Sequence, residues 1–229
     1  MGSRSAGASS DAPDPPDPSL SVRAQLLATE HWGLLAARGT AQSEVLSRIG
    51  ILLTLVSAGL VSLALVGQAT DFSDAFIAFA IGVLAFIAVV GVLTQIRVTN
   101  IGMEDLMYVV AMNRLRGAYV ELDPAVERIL LASPHDDLAG VQQTYYFFSP
   151  KRNYSQFFGS TMMFILVING ALLGLLSSAI AMVFTASTLI ACIVGFAVAA
   201  VFFCLNFWLG NRQFRLALAE YRPEFPSPL

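Results

Sequence analysis

Two neighbouring stretches of the chain decide its fold: Ile49–Thr70, IGILLTLVSAGLVSLALVGQAT, and Ala75–Ile96, AFIAFAIGVLAFIAVVGVLTQI. Each stretch has 22 residues and no charged side chain. A helix rises 1.5 Å per residue, so each would be roughly 33 Å long, enough to cross a bilayer core of about 30 Å. The four residues between them, Asp71 to Asp74, suit a tight turn. We therefore predict two transmembrane helices that form a hairpin, residues 49–96.

A longer charge-free stretch, residues 153–211, follows later in the chain. It is too long for one membrane span and suits two, which we place at about 158–183 and 187–209. The composition agrees, because only 13% of the residues are charged and 56% are hydrophobic, whereas soluble domains carry about 25% charge. The predicted fold class is all-α: a polytopic membrane protein with four transmembrane helices as two hairpins and cytoplasmic helical extensions.

The arginines predict how the chain is oriented in the membrane. All thirteen basic residues lie before the first span, in residues 97–152, or in the C-terminal tail, residues 212–229, and the two short turns contain none. Because short cytoplasmic loops are enriched in Lys and Arg, both termini and residues 97–152 are predicted to be cytoplasmic. The net charge of −3 provides no general attraction to nucleic acid.

The segments outside the spans have distinct compositions. Residues 1–19 are rich in Pro, Ser, Asp and Gly, which predicts a disordered N-terminal tail. Residues 20–48 predict a cytoplasmic amphipathic helix, broken or bent near Gly39–Thr40. Residues 97–152 predict a cytoplasmic helical segment. Within it a helix is expected to start at Asp123–Pro124, because Asp is a favourable N-cap and Pro suits the first helical position.

The sequence LASPHDD, residues 131–137, is the one place where a histidine meets two carboxylates. We predict a helix start, with Ser133 as the N-cap, Pro134 at the first helical position and Asp136 reaching back as in a capping box. The alternative is a metal site completed by His31 or by another subunit. Three consecutive helical residues point about 100° apart, which disfavours that alternative. No catalytic, cofactor or metal site is therefore predicted.

Small and polar residues in the last two spans are the candidates for helix packing. They are Asn169, Gly170, Gly174 and Ser178 in the third span and Gly195 in the fourth, where Ala191 and Ala199 extend the same face. Small residues allow helix backbones to approach closely, either within one subunit or between subunits of a homo-oligomer. Asn169 either hydrogen-bonds to a neighbouring helix or lines a conduction path.

Three short strings carry a resemblance to a known group of proteins. Thr29-Glu30-His31-Trp32, Met112-Asn113-Arg114-Leu115-Arg116 and His135-Asp136-Asp137, placed around a hairpin, resemble bacterial four-pass integral membrane proteins. The resemblance covers roughly residues 28–140. It implies a plasma (inner) membrane location in a bacterium. The group has no established activity, so the resemblance implies no functional residue.

The sequence favours a non-enzymatic function. The spans contain no Asp, Glu, Lys, Arg or His, which disfavours a proton relay, a voltage sensor or an ion-coupled carrier. Walker A, GxSxG, GxGxxG and HExxH motifs are absent. We expect a self-associating scaffold or regulator with no cofactor and no nucleic-acid partner. Its expected partners are the lipid bilayer and further copies of itself in a homo-oligomer, and the sequence identifies no protein partner. The alternatives are an oligomeric channel or pore, and a membrane enzyme acting on lipid through His135 and the adjacent acids.

Overall fold

The computed structural model describes residues 18–146 and 160–228, and none of these residues lies in a strand. The all-helical class is confirmed, and four of the described helices are long and apolar enough to cross a membrane, as predicted. The predicted N-terminal tail lies almost entirely outside the described residues. In chain order, the elements are α1 (Pro18–Ala69), α2 (Asp74–Leu122), the 3₁₀ helix η1 (Pro124–Ile129), α3 (Leu138–Tyr146), α4 (Thr161–Thr185) and α5 (Thr188–Glu220).

Helices α1 and α2 continue far beyond the lengths needed to cross a bilayer. They contain 52 and 49 residues, which corresponds to roughly 78 Å and 74 Å. The helix predicted for residues 20–48 is not broken near Gly39–Thr40, because α1 runs through this position without interruption. The hydroxyl of Thr40 donates to the carbonyl of Ala36, 3.0 Å away, so this polar side chain is satisfied within the helix. The paired ends of α1 and α2, residues 18–48 and 97–122, are called the stalk below.

Helices α2 and α4 form the centre of the bundle. Helix α1 packs against α2, α2 packs against α4, and α4 packs against α5. Leu52 of α1 and Ile165 of α4 are fully buried in one apolar cluster, which joins the first two helices to the third. The stalk contacts both the end of α5 and the residues that follow α5. These parts of the chain therefore lie at one end of the bundle. The arginines among the described residues lie toward that end, and we call it the arginine-rich end.

The predicted small-residue face lies between α4 and α5 of the same chain. A Cβ atom built on Gly174 would be 3.0 Å from the carbonyl oxygen of Gly195, and one on Gly195 would be 2.6 Å from that of Gly174. Ser178 donates to the carbonyl of Ala191, 2.8 Å away, and Gly170 lies opposite Ala199. This face is therefore filled by a helix of the same chain.

A row of polar side chains connects α2, α4 and α5 within the apolar bundle. The Nδ2 of Asn169, which is only 1% exposed, donates to Gln95 Oε1 and to the carbonyl of Gly91, both at 2.8 Å. Gln95 Nε2 donates in turn to Asn206 Oδ1 at 2.7 Å. Asn169 thus hydrogen-bonds to a neighbouring helix. Its hydrogen-bonding partners Gln95 and Asn206 were not predicted from the sequence.

Candidate functional site

The stalk is held together by ion pairs between its two helices. Arg38 of α1 makes two hydrogen bonds to the carboxylate of Asp105 in α2, at 2.6 and 3.1 Å, and Tyr145 of α3 donates to the same carboxylate at 2.6 Å. Glu44 and Arg97 form a second two-bond pair, at 2.8 and 3.1 Å, nearer the membrane. Paired Arg–carboxylate bonds fix geometry as well as charge, so the stalk is a firm support for the elements that pack on it.

The turn of residues 133–137 lies against the stalk and is fixed by Asn113. Asn113 is fully buried, and its Nδ2 donates to the carbonyl of His135 at 2.9 Å. Its Oδ1 accepts from the hydroxyl of Thr144 in α3 at 3.0 Å. That hydroxyl accepts from the backbone amide of Ser133 at 3.1 Å. Helices α2 and α3 therefore position both ends of the turn.

The predicted helix start at Ser133 is wrong, because α3 begins at Leu138 and Asp137 is its cap. Asp137 Oδ1 accepts from the amide of Gly140 at 2.8 Å, and its carbonyl accepts from Val141 at 2.9 Å. Ser133 instead accepts from the amide of His135 at 3.1 Å, a local turn that competes with helix formation. The start predicted at Asp123–Pro124 is confirmed, as the 3₁₀ helix η1, with Asp123 Oδ1 accepting from Ala125.

The buried carboxylate of Asp136 holds the C-terminal segment, Tyr221–Pro228. Asp136 Oδ1 accepts from the amide of Phe225 at 2.8 Å, while Oδ2 accepts from the amide of Glu224 at 3.1 Å and from the hydroxyl of Tyr221 at 2.5 Å. Arg114 of the stalk donates to the same Oδ2 at 2.9 Å. The amide of Asp136 also donates to the carbonyl of Phe225 at 3.1 Å. A fully buried charge is tolerated when it is paired and hydrogen-bonded in this way.

Two further contacts extend this recognition along the segment. The carboxylate of Asp137 accepts from both the amide and the hydroxyl of Ser227, each at 2.8 Å. The ring of Phe225 packs on Gly117 of α2, where a Cβ atom would be 2.6 Å from Phe225 Cγ. Only glycine fits at that position without displacing the ring. The turn, Arg114 and Gly117 thus form one site, which we call the tail site.

The electrostatics of the tail site favour the docked segment at neutral pH. Burial opposes ionisation of Asp136, but the hydrogen bonds from Tyr221, Phe225 and Glu224, with that of Arg114, keep the pKa of its carboxyl below the usual value. Burial and the hydrogen bond to Asp136 raise the pKa of Tyr221 to about 12. The tyrosine therefore remains a donor and the aspartate an acceptor over a wide range of pH.

The two histidines are not placed for joint chemistry. His31 stacks on Tyr119 in the contact between α1 and α2, with 6.0 Å between ring centroids, and burial and the charge of Arg116 lower its pKa. His135 contributes its backbone carbonyl and amide to the turn. Over residues 18–146 and 160–228, no three His, Cys, Asp or Glu side chains are grouped as metal ligands. The arrangement is suited to binding a peptide segment.

The tail site was not predicted from the sequence, and no role was predicted for the C-terminal tail. The one available signal was the composition YRPEFPSP, residues 221–228, which alternates aromatic residues with prolines and suits extended backbone whose amides need partners.

The chain matches no protein-family model, no curated protein and no solved structure.

Proposed function

We propose that this chain is a non-enzymatic membrane regulator whose stalk binds its own C-terminal segment as an intramolecular ligand. The observation that carries the proposal is the tail site. The fully buried carboxylate of Asp136 accepts hydrogen bonds from one arginine of the stalk and from one tyrosine and two backbone amides of the segment. Such an acceptor is equipped to recognise extended backbone, and release of the segment would expose it to another peptide.

We infer that the chain lies in a bacterial inner membrane as two transmembrane hairpins, with both termini, the stalk and the tail site in the cytoplasm. The absence of Lys and Arg from the two short turns supports this orientation. A protein partner would then meet the tail site from the cytoplasm.

Self-association also belongs to the proposal, through the open face of α1. On this face Trp32 is 74% exposed and Leu46 is 66% exposed. Gly39 lies between these two residues in α1, and Gly50 lies one turn beyond Leu46. A Cβ atom added at either glycine would have no atom within 4 Å. A second copy could approach closely along such a face. The α4–α5 small-residue face is already filled and does not supply the interface.

Reconstituted protein separates this function from its rivals. Wild-type protein and Asp136→Ala are compared in liposomes for ion flux and for lipid turnover, with Asp123→Ala as the matched control, because the Asp123 carboxylate caps η1 and forms no hydrogen bond to the segment among the described residues. We expect neither activity from any of the three proteins. Turnover that is lost in His135→Ala would support the lipid enzyme instead. Ion flux that appears only in Asp136→Ala would identify a channel gated by the C-terminal segment.

A further inference from the structure

The C-terminal segment is held through its backbone at particular positions, and these positions define what the tail site recognises. The amides of Glu224 and Phe225 donate to the carboxylate of Asp136, at 3.1 and 2.8 Å. The amide of Ser227 donates to the carboxylate of Asp137 at 2.8 Å. The carbonyl of Phe225 accepts from the amide of Asp136 at 3.1 Å. Because three amides and one carbonyl are bound, a ligand of this site must present extended peptide backbone.

The prolines of the segment stand where the site requires no amide. Pro223 and Pro226 lack an N–H group, and the residues beside them supply the amides that the turn accepts. Proline also restricts the chain to extended conformations before binding, which reduces the entropy lost on docking. A proline at position 224 or 225 would instead remove a donor to the buried carboxylate of Asp136.

Two hydroxyl groups of the segment are also bound. The hydroxyl of Tyr221 donates to Asp136 and accepts from Arg114 at 2.9 Å, so it bridges the two members of an ion pair. The hydroxyl of Ser227 donates to Asp137 at 2.8 Å. A site built to bond a hydroxyl rejects analogues that lack it, because its own polar groups then lose a partner. Position 221 therefore selects tyrosine over phenylalanine, and position 227 selects serine over alanine.

Position 225 takes an aromatic ring, whereas positions 222 and 224 leave their side chains in solvent. A Cβ atom added to Gly117 would lie 2.6, 2.8 and 2.9 Å from three atoms of the Phe225 ring, so the ring rests directly on the backbone of α2. Arg222 and Glu224 are exposed, and neither side chain forms an ion pair or hydrogen bond with another residue in the described ranges. Their charges are therefore not recognised.

We propose that the tail site binds a protein partner through an extended segment of the form Tyr-x-x-x-Phe-x-Ser, with proline accepted only at the second, third and sixth positions. Because this partner occupies the site of the chain's own segment, its recognition rests on the proposed function. The resident segment has the advantage of a high effective concentration. A partner must therefore bind more tightly than that segment or be present in excess.

The experiment uses the full chain in lipid nanodiscs, with its own segment weakened by Tyr221→Phe and Phe225→Ala. A fluorescent peptide YRPEFPSP, residues 221–228, should bind this variant, as measured by fluorescence polarisation. Unlabelled peptides then compete with it. Competition should weaken about tenfold or more for peptides with Tyr221→Phe, Phe225→Ala or Glu224→Pro. It should change less than about twofold for Arg222→Gln and Glu224→Gln, which are the matched controls.

Two further measurements do not depend on the weakened variant. Excess peptide YRPEFPSP should accelerate deuterium exchange of the amides of Glu224, Phe225 and Ser227 in an isotope-labelled wild-type chain, and the Glu224→Pro peptide should not. In the weakened variant, Gly117→Ala should reduce binding of YRPEFPSP but not of the Phe225→Ala peptide. Such coupling requires contact between the ring and Gly117, and a general loss of structure would not produce it.

Three outcomes would contradict this recognition, and they separate it from the proposed function. If the segment of the wild-type chain exchanges at the unprotected rate, its docking fails and the proposed function fails with it. If that segment is protected, but the peptide neither binds the weakened variant nor accelerates exchange, the protein partner alone is overturned. Equal competition by the Glu224→Pro and Glu224→Gln peptides would overturn the recognition of backbone amides at this position.

Discussion

Replacement of Asp136 by alanine should release the C-terminal segment while the stalk remains folded. The carboxylate accepts four hydrogen bonds, one of them from the Arg114 guanidinium. Hydrogen bonds to a charged group are each worth about 1.5–3 kcal/mol, but they act as a unit and do not add. The side chain of Arg114 is 46% exposed, so water can solvate it once Asp136 is gone, and we take about 2–3 kcal/mol, the upper part of the range for one such bond, for docking of the segment.

Hydrogen–deuterium exchange measures this loss directly. The amides of Glu224, Phe225 and Ser227 each donate to a carboxylate of the turn, so they should exchange slowly in the wild type. A loss of about 2–3 kcal/mol accelerates exchange by roughly one and a half to two orders of magnitude, or until protection disappears. The amides of α4 should be unaffected.

Asp123→Ala is the matched control for this measurement. Its carboxylate caps η1 through Ala125 and forms no hydrogen bond or ion pair with the segment among the described residues. It should change exchange only in η1. If the segment exchanges at the unprotected rate in the wild type, or keeps its protection in Asp136→Ala, then the buried carboxylate does not hold the segment.

Three other perturbations have defined outcomes. Because the pKa of Asp136 is lowered on docking and that of Tyr221 is raised to about 12, exchange protection of the segment should be level at neutral pH. This protection should be lost in acid, as the pH falls below the ordinary aspartate pKa of about 3.9, and in base, as the pH rises through 12. A change in protection near pH 7 would contradict this assignment. Gly174→Leu should push α4 away from α5 and lower the thermal midpoint of unfolding, while light scattering shows an unchanged number of subunits. A smaller assembly with an unchanged thermal midpoint would instead indicate that this face is a subunit interface. In a background without Cys192 and Cys204, cysteine at Ser73 should react with an impermeant maleimide in intact cells and cysteine at Glu121 should not, whereas the reverse pattern would invert the topology.

The spans could be predicted from sequence because a bilayer imposes one simple requirement. Residues 49–70 and 75–96 are charge-free over the length that hydrocarbon demands, and hydropathy detects that length without knowledge of packing. The small-residue face was also visible, since glycine and serine at helical spacing permit close approach. Sequence alone left open whether that face joins helices or subunits, because both contacts use the same physics.

The tail site could not be predicted because its hydrogen bonds join residues far apart in the chain. Asp136 and Phe225 are 89 positions apart, and nothing local distinguishes a carboxylate that caps a helix from one that binds a distant amide. The Ser-Pro-x-Asp pattern predicted a cap at Ser133, yet the next acid, Asp137, became the cap. Burial of Asp136 among Arg114, Tyr221 and two amides outweighed the local preference.

A disulfide between α2 and the C-terminal segment tests the central claim most directly. A Cβ atom at Gly117 would lie 2.6 Å from Phe225 Cγ. Because a carbon–carbon bond adds about 1.5 Å, the two Cβ atoms would be within about 4 Å, the separation that a disulfide requires. Gly117→Cys with Phe225→Cys, in a chain with Cys192 and Cys204 replaced by alanine, should oxidise readily to an intramolecular bond detected by mass spectrometry. Gly117→Cys with Ser187→Cys, at opposite ends of the bundle, should not. Failure of the first pair to close while both thiols react with maleimide would contradict the docking of the C-terminal segment on the stalk.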